Sequence, residues 1–362
     1  MYENIETLAR ICYSTAEVYR NRNKGRAVLY LNENTATLIY ENEMKKYTVS
    51  ESDNFRENDT VFINKYGNCQ LLFCYSEYSQ TIIITNRCNS NCIMCPYTSH
   101  FRAHTTDCAD DFLMNQINYL PSHTEQLTIT GGEPTLRRTI FFRFMEKIRI
   151  NFPRTSCLIL TNGRSFSLES ICYKSKFMFP KKLIAAVPIH ASYAELHDII
   201  TQANGSFVQT IAGIKNLLNL GIGVEIRIVV FKENHHDMLN IAKLIKRELL
   251  GVSVVNFMAA EMCGNAAKNR SNVWISYNKA FADCKTAIDF LISSGIDVGI
   301  YNFPLCSVPR KYWGIYKKSI SDYKIRYGKD CHLCNGKKVC GGVFASSIKY
   351  AESDLQLIME KL

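Results

Sequence analysis

The sequence predicts an α/β fold: a partial (β/α)6 barrel, preceded by a small β domain and followed by a cysteine-rich C-terminal module. Three observations predict it. Short β-type runs crowd the first 79 residues, apolar runs alternate with helix-length periodic segments from 81 onward, and a segment dense in cysteine and lysine closes the chain. The expected divisions are 1–79, 80–275 and 276–362. At 362 residues the chain suits one large core with appendages, because single cores stop growing near about 250–300 residues.

Within the first division, Ile5, Leu8, Ile11, Cys12 and Ala16 recur at spacings of three and four, which predicts an amphipathic helix over 3–19. Strands are expected at 27–31, 36–40, 46–49, 60–64 and 70–75, with turns at Asn32-Glu33-Asn34 and Tyr66-Gly67-Asn68. Six strands of a parallel sheet follow, at 81–85, 127–130, 157–161, 184–190, 224–230 and 252–258. Helices fall between them, such as 139–150 with Phe141, Phe142, Met145 and Ile148, and 207–220 with Ile211, Ile214, Leu217 and Leu218. Such a sheet places its active site at the carboxyl ends of the strands. After 275, a further helix and a strand-like run at 297–302 lead into the cysteine-rich segment.

With 47% hydrophobic and 21% charged residues and eight prolines, the chain can bury a sizeable core. No apolar run is long enough to suggest a membrane span, and the first residues lack the pattern of a signal peptide, so the expectation is a cytoplasmic protein with no membrane partner. Fifteen cysteines in a reducing compartment point to metal or redox chemistry instead of disulfides. The formal charge of +10 suits an anionic partner and says nothing about fold.

The first barrel strand runs into Thr85-Asn86-Arg87-Cys88-Asn89-Ser90-Asn91-Cys92-Ile93-Met94-Cys95, which sets three thiolates on one short loop at the predicted mouth. Three soft ligands can hold three irons of a 4Fe-4S cubane and leave the fourth open. An open iron can take the amino and carboxylate groups of S-adenosylmethionine (SAM). The bland alternatives are a zinc site or unliganded buried cysteines; zinc favours paired ligand sets over three thiolates. Gly131-Gly132-Glu133-Pro134-Thr135 follows the second strand, and its glycines let backbone approach a ligand closely.

A second set, Cys306, Cys331, Cys334 and Cys340, could close around another 4Fe-4S cluster or one structural zinc. Cys12, Cys69, Cys74, Cys108, Cys157, Cys172, Cys263 and Cys284 lie mostly in apolar contexts and read as small core residues. Further strand-end candidates are Thr161-Asn162-Gly163, His190-Ala191-Ser192 and Arg227. His190 reads equally as a ligand contact or a core histidine. Glu261 reads as orienting SAM or substrate, or as capping the next turn. His235-His236 reads as a solvated helix start.

The spacing of Cys88, Cys92 and Cys95 is similar to that of the radical SAM superfamily. That resemblance implies a partial barrel in which the three cysteines are catalytic, carrying a cluster that cleaves SAM to a 5′-deoxyadenosyl radical. It also implies that Met94, Gly131, Gly132, Glu133, Pro134, Thr161, Asn162, His190, Ser192, Arg227 and Glu261 lie among the cofactor contacts. In the superfamily the Gly-Gly-Glu-Pro loop meets the methionyl amino group, and the regions of His190-Ser192 and Arg227 lie near the ribose and carboxylate. The run Cys88 to Pro96 further resembles the C-type maturase of the His-Xaa-Ser peptide modification system. His197-Asp198, Gly205-Ser206-Phe207, Phe257-Met258, Glu261, Gly264, Tyr301-Asn302, Pro304-Leu305-Cys306, Ser319-Ile320-Ser321-Asp322, Cys340-Gly341-Gly342 and Phe344 agree with it. The resemblance covers about 60–350 and implies a precursor peptide as substrate and a second radical SAM maturase as partner; the radical chemistry also calls for an electron donor such as flavodoxin or ferredoxin, and the expected C-terminal module is an auxiliary-cluster module on Cys306, Cys331, Cys334 and Cys340, with zinc as the alternative.

Two rival readings carry their own signatures. An RNA-modifying radical SAM enzyme would use the basic residues around the second cysteine set, yet no aromatic-basic RNA-binding pattern accompanies them. An iron-sulfur redox sensor would need clusters but no SAM loop, and Gly131 to Pro134 speaks against it.

Overall fold

The computed structural model describes residues 7–32, 35–40, 43–47, 55–64 and 68–360. Strands β1 (Thr7–Cys12), β2 (Val28–Asn32), β3 (Thr35–Tyr40), β4 (Glu43–Tyr47), β5 (Thr60–Ile63) and β6 (Cys69–Phe73) form a sheet in the order β4-β3-β2-β1-β5-β6. The expected helix over 3–19 is replaced by β1 and a shorter helix, Thr15–Arg22, while residues 3–6 lie outside the described residues. All six positions of β1 are buried, because it is central, pairing parallel with β2 and antiparallel with β5. A strand buried on both faces has no alternation to reveal it, so its apolar residues imitate a helical stripe. The helix starts where Ser14 caps it, accepting from the Glu17 N–H at 3.3 Å. Of the expected turns, Glu33-Asn34 and Tyr66-Gly67 lie outside the described residues, as do Thr48 and Val49 of the expected fourth run.

Eight strands make the second sheet: β7 (Ser79–Thr85), β8 (Gln126–Gly131), β9 (Ser156–Leu160), β10 (Leu183–Pro188), β11 (Gly223–Val230), β12 (Val254–Ala259), β13 (Asp297–Tyr301) and β14 (Tyr316–Lys317). All neighbours pair parallel and follow one another in sequence order. Because right-handed crossovers in an order that never reverses put every connecting helix on one face, the other face is left open and the sheet curls. Its first strand shows this, with Ile83 47% exposed between Ile82 and Ile84, both buried against the helices. The six expected βα strands are present, and β13 and β14 continue the sheet beyond them.

The helix Arg138–Asn151 turns Ile140, Phe141, Phe144, Met145 and Ile148 onto the sheet, and all five are buried. Each such side chain contributes roughly 1.5–3 kcal/mol relative to exposure. This core joins Leu8 and Phe73 of the first sheet to the barrel residues, so the two sheets share one apolar cluster. A two-stranded ribbon, β15 (Ile325–Arg326) with β16 (Val343–Phe344), stiffens the C-terminal segment. Among the described residues no helix is long and apolar enough to cross a membrane.

Candidate functional site

The carboxyl ends of β7 to β12 bring the candidate residues to one mouth of the curled sheet. The loop after β7 carries Cys88, Cys92 and Cys95, all free thiols of intermediate exposure. Burial, reinforced by the neighbouring Cys88 and Cys95 because adjacent thiolates repel, pushes the Cys92 thiol up to about 12. Burial likewise raises Cys88. Three thiols held close together, with Arg102 favouring the anionic form of Cys88 and Cys92, fit a cationic metal cluster that would relieve their repulsion. Among the described residues no three histidine, cysteine or carboxylate side chains converge as ligands of a single ion would. The sulfurs of a cubane bind different irons and stand farther apart.

The backbone of this loop is clamped from several sides. Asn91 N–H donates to Thr201 O at 2.8 Å and Ile93 N–H to Ile200 O at 2.9 Å. Arg164 donates to Asn89 O at 2.5 Å and to Ser90 Oγ at 3.0 Å, and Arg102 donates to Ser90 O at 2.9 Å and also to Asn91. The Asn265 amide reaches Cys92 O at 3.1 Å while its backbone N–H reaches Cys95 O at 2.9 Å; Asn269 reaches Ile93 O at 3.0 Å. Arg102, Arg164, Asn265 and Asn269 were not among the sequence candidates. Single polar residues far apart in the chain carry no motif, and only the fold brings them to the loop.

Gly131 and Gly132 have a role that the sequence did not suggest. A Cβ on Gly131 would collide with Thr85 O, and one on Gly132 with Arg87 O. Their bareness admits the chain's own backbone: Gly132 N–H donates to Thr85 O and Glu133 N–H to Arg87 O, both at 2.8 Å. Gly264, with φ of +57°, meets Pro96 O in the same way from the far side of the loop.

Glu133 is completely buried, and burial raises its pKa against the hydrogen bonds that favour the charged form. Its oxygens accept from Thr135 Oγ1 at 2.6 Å, Thr161 Oγ1 at 2.9 Å and Asn162 N–H at 2.7 Å, so Glu133 and Thr161 are occupied in tying β8 to β9. Asn162 goes on to donate to Asn89 Oδ1 at 2.6 Å. Pro134 is buried at the start of a short 3-10 turn. Met94 packs in an apolar cluster with Ile200, Phe231 and Met262. Ser192 is held by Asp237, which accepts from its N–H at 2.6 Å and its hydroxyl at 2.9 Å.

His190 is buried with Nδ1 unpartnered, and its pKa is pushed well below 6.5 by burial and by neighbouring His197. An orphaned ring nitrogen at a strand end leaves room for a ligand contact. Arg227 lies within β11, not at its end, and pairs with Glu225 Oε1 at 2.6 Å. Glu261 pairs with Lys324 at 3.2 Å, linking the end of β12 to the C-terminal segment. His235 is not a solvated helix start, because Nδ1 lies 2.6 Å from Asp283 Oδ2; His236 is exposed.

The second cysteine set comes together. Cys306, Cys331, Cys334 and Cys340 line one cavity with Tyr327, Leu355 and Ile358. Backbone amides point at its sulfurs: Leu305 and Gly342 N–H donate to Cys340 Sγ, and Ile358 N–H to Cys334 Sγ, each at 3.3 Å. Amide donors aimed at sulfur are the surroundings that iron-sulfur thiolates use. Of the remaining cysteines, Cys12, Cys157 and Cys284 are buried, whereas Cys69, Cys74, Cys108, Cys172 and Cys263 are only partly so.

Residues 82–245 match the sequence model described as the radical SAM superfamily. The antilisterial bacteriocin subtilosin biosynthesis protein AlbA of Bacillus subtilis is 26% identical over 166 residues, 46% of this chain and 36% of that protein. A probable GTP 3′,8-cyclase of Saccharolobus islandicus is 26% identical over 184 residues, 51% of this chain and 57% of that protein. The matches thus span between about a third and just over half of these relatives. Among solved structures, Streptococcus suis SuiB bound to S-adenosylmethionine aligns with a TM-score of 0.48 at 13% identity, covering 64% of this chain and 52% of that one. Native anSMEcpe with bound AdoMet and Cp18Cys peptide aligns with a TM-score of 0.47 at 16% identity, covering 61% and 62%. Through residues 82–245, this chain carries a radical SAM superfamily domain.

Proposed function

We propose that this chain is a radical SAM enzyme that modifies a ribosomally made precursor peptide, in the manner of the His-Xaa-Ser maturases. The observation that carries it is the loop of Cys88, Cys92 and Cys95, gathered at the carboxyl mouth of a parallel sheet and clamped by Gly132, Asn162, Arg164 and Asn265. Cys88, Cys92 and Cys95 would hold a 4Fe-4S cluster which, once reduced, would supply the one electron that cleaves SAM into methionine and a 5′-deoxyadenosyl radical. The chain's own residues do the positioning. Arg102 and Arg164 place positive charge beside the thiol loop, and the unpartnered His190 Nδ1 would be the group left to meet a ligand. Arg227, paired here with Glu225, would be the residue to meet the carboxylate of SAM. The open face of the sheet at Ile83 gives the peptide room.

Support for a peptide substrate comes from the sequence likeness to the His-Xaa-Ser maturases and from AlbA, whose name places it in the biosynthesis of a bacteriocin. The same reading assigns 276–362 as a module whose four cysteines hold an auxiliary 4Fe-4S cluster, and it calls for a flavodoxin or ferredoxin as electron donor and a second radical SAM maturase as partner. The test is coexpression with each small protein encoded beside this gene, read by mass spectrometry with and without this chain. A mass change in one of them that requires this chain supports the proposal. Vigorous SAM cleavage with every such peptide unchanged would contradict the peptide assignment while leaving the radical chemistry intact.

A further inference from the structure

A basic cavity lies at the end of the molecule opposite the thiol loop. It is lined by Arg10, Glu17, Arg20, Lys24 and Arg26 of the N-terminal part and by 120–122, the turn that follows the helix Asp110–Tyr119. That turn leads into the amino end of β8, so the cavity and the thiols are separated by the length of the strands, about 20 Å for six or seven residues.

Arg10 is 2% exposed, and its guanidinium is satisfied only by neutral oxygens: Asn58 O and Tyr119 O, each at 2.6 Å. Its Nε has no partner. Arg26 lies on the same ring, both guanidinium carbons standing 5.9 Å from the Tyr119 centroid. Arg26 also donates only to neutral groups, Asn118 O at 2.8 Å and Asn21 Oδ1 at 3.3 Å. Burial and the charge of Arg26 lower the pKa of Arg10 to about 10. Among the described residues the one carboxylate lining the cavity, Glu17, is taken by Arg20. Arg10 is buried and Arg26 half-buried, neither is hydrogen-bonded to a carboxylate among the described residues, and an anion in the cavity would offset the cost of burying the Arg10 charge.

We propose that this cavity binds an oxyanion, a carboxylate or a phosphate, held by Lys24 and Arg26 above the buried Arg10. Its source is either an acidic side chain of a peptide or a small free anion. The site stands apart from the SAM chemistry and does not depend on the proposed substrate.

Titration calorimetry on the full, cluster-loaded chain tests it, with inorganic phosphate and with triglutamate as probes. Saturable binding of at least one probe is expected, weakened about tenfold or more by Lys24→Gln and by Arg26→Gln through loss of a charge-assisted contact. Arg143→Gln, on the exposed side of the helix Arg138–Asn151, should bind as the parent does. Triglutamate binding without phosphate binding identifies an acidic side chain as the source, and the reverse identifies a small anion. Lys24 is exposed, so its variant carries the test even if Arg26→Gln fails to fold. The proposal is overturned if neither probe binds saturably, or if Lys24→Gln and a folded Arg26→Gln bind both probes as the parent does.

Discussion

Glu133 accepts a hydrogen bond from the backbone N–H of Asn162 at 2.7 Å, and Asn162 in turn reaches the thiol loop at Asn89. A fully buried carboxylate thus fastens β8 to β9 and, through one residue, to the cysteines. In Glu133→Gln one acceptor oxygen becomes a donor that faces the Asn162 N–H or the Thr161 hydroxyl. The loss of a buried acceptor should cost about 1–3 kcal/mol in folding stability. Urea midpoints and iron content after reconstitution would check it, with both expected to fall.

Gly132→Val should prevent cluster assembly. Its side chain would strike Arg87 O and hold the Gly-Gly loop away from the cysteine loop. Iron content is the discriminating measurement: a full complement of iron with SAM affinity alone reduced would mean that the glycine serves the ligand and not the loop.

Acid should weaken the fold through its buried histidines. Burial lowers the pKa of His197 from 6.5 to about 4, and that of His190 well below 6.5. Both are neutral when folded, so their contribution is present above about pH 6.5 and is lost as pH falls toward the depressed folded values. For His197 the difference amounts to about 3 kcal/mol, since one unit corresponds to about 1.36 kcal/mol. Urea midpoints between pH 7 and 5 should fall, and less steeply in His197→Gln; an unchanged slope would remove His197 from the account.

Replacing Cys306, Cys331, Cys334 and Cys340 together by alanine should lower iron from about eight to about four per chain, given four irons per cubane. SAM cleavage without peptide should persist and peptide modification should stop. Zinc in the parent, with iron for one cluster alone, would make the module a structural knot.

The sheet strands were legible because each is a short apolar run bounded by turn residues, and the three cysteines because their ligand chemistry depends on local spacing. The strand β1 was not, since burial on both faces erases the alternation that marks a strand. Nor were the partners of the loop. Asn265 and Asn269 follow β12, Arg164 follows β9, and nothing in an isolated arginine or asparagine announces which carbonyl it will meet. The backbone contact of Gly132 was not legible for a related reason. A glycine in sequence signals close approach, and whether to ligand or to backbone depends on the loop it faces.

The central claim, that Cys88, Cys92 and Cys95 hold the cluster that cleaves SAM, is tested most directly by 5′-deoxyadenosine formation. The parent and each single cysteine-to-alanine variant would be reconstituted anaerobically and reduced with dithionite. The account predicts product from the parent and none from Cys88→Ala, Cys92→Ala or Cys95→Ala, with circular dichroism showing all three folded. Parent-level product from any one of them would contradict the assignment of that cysteine, and absence of product from a fully iron-loaded parent would contradict the account as a whole.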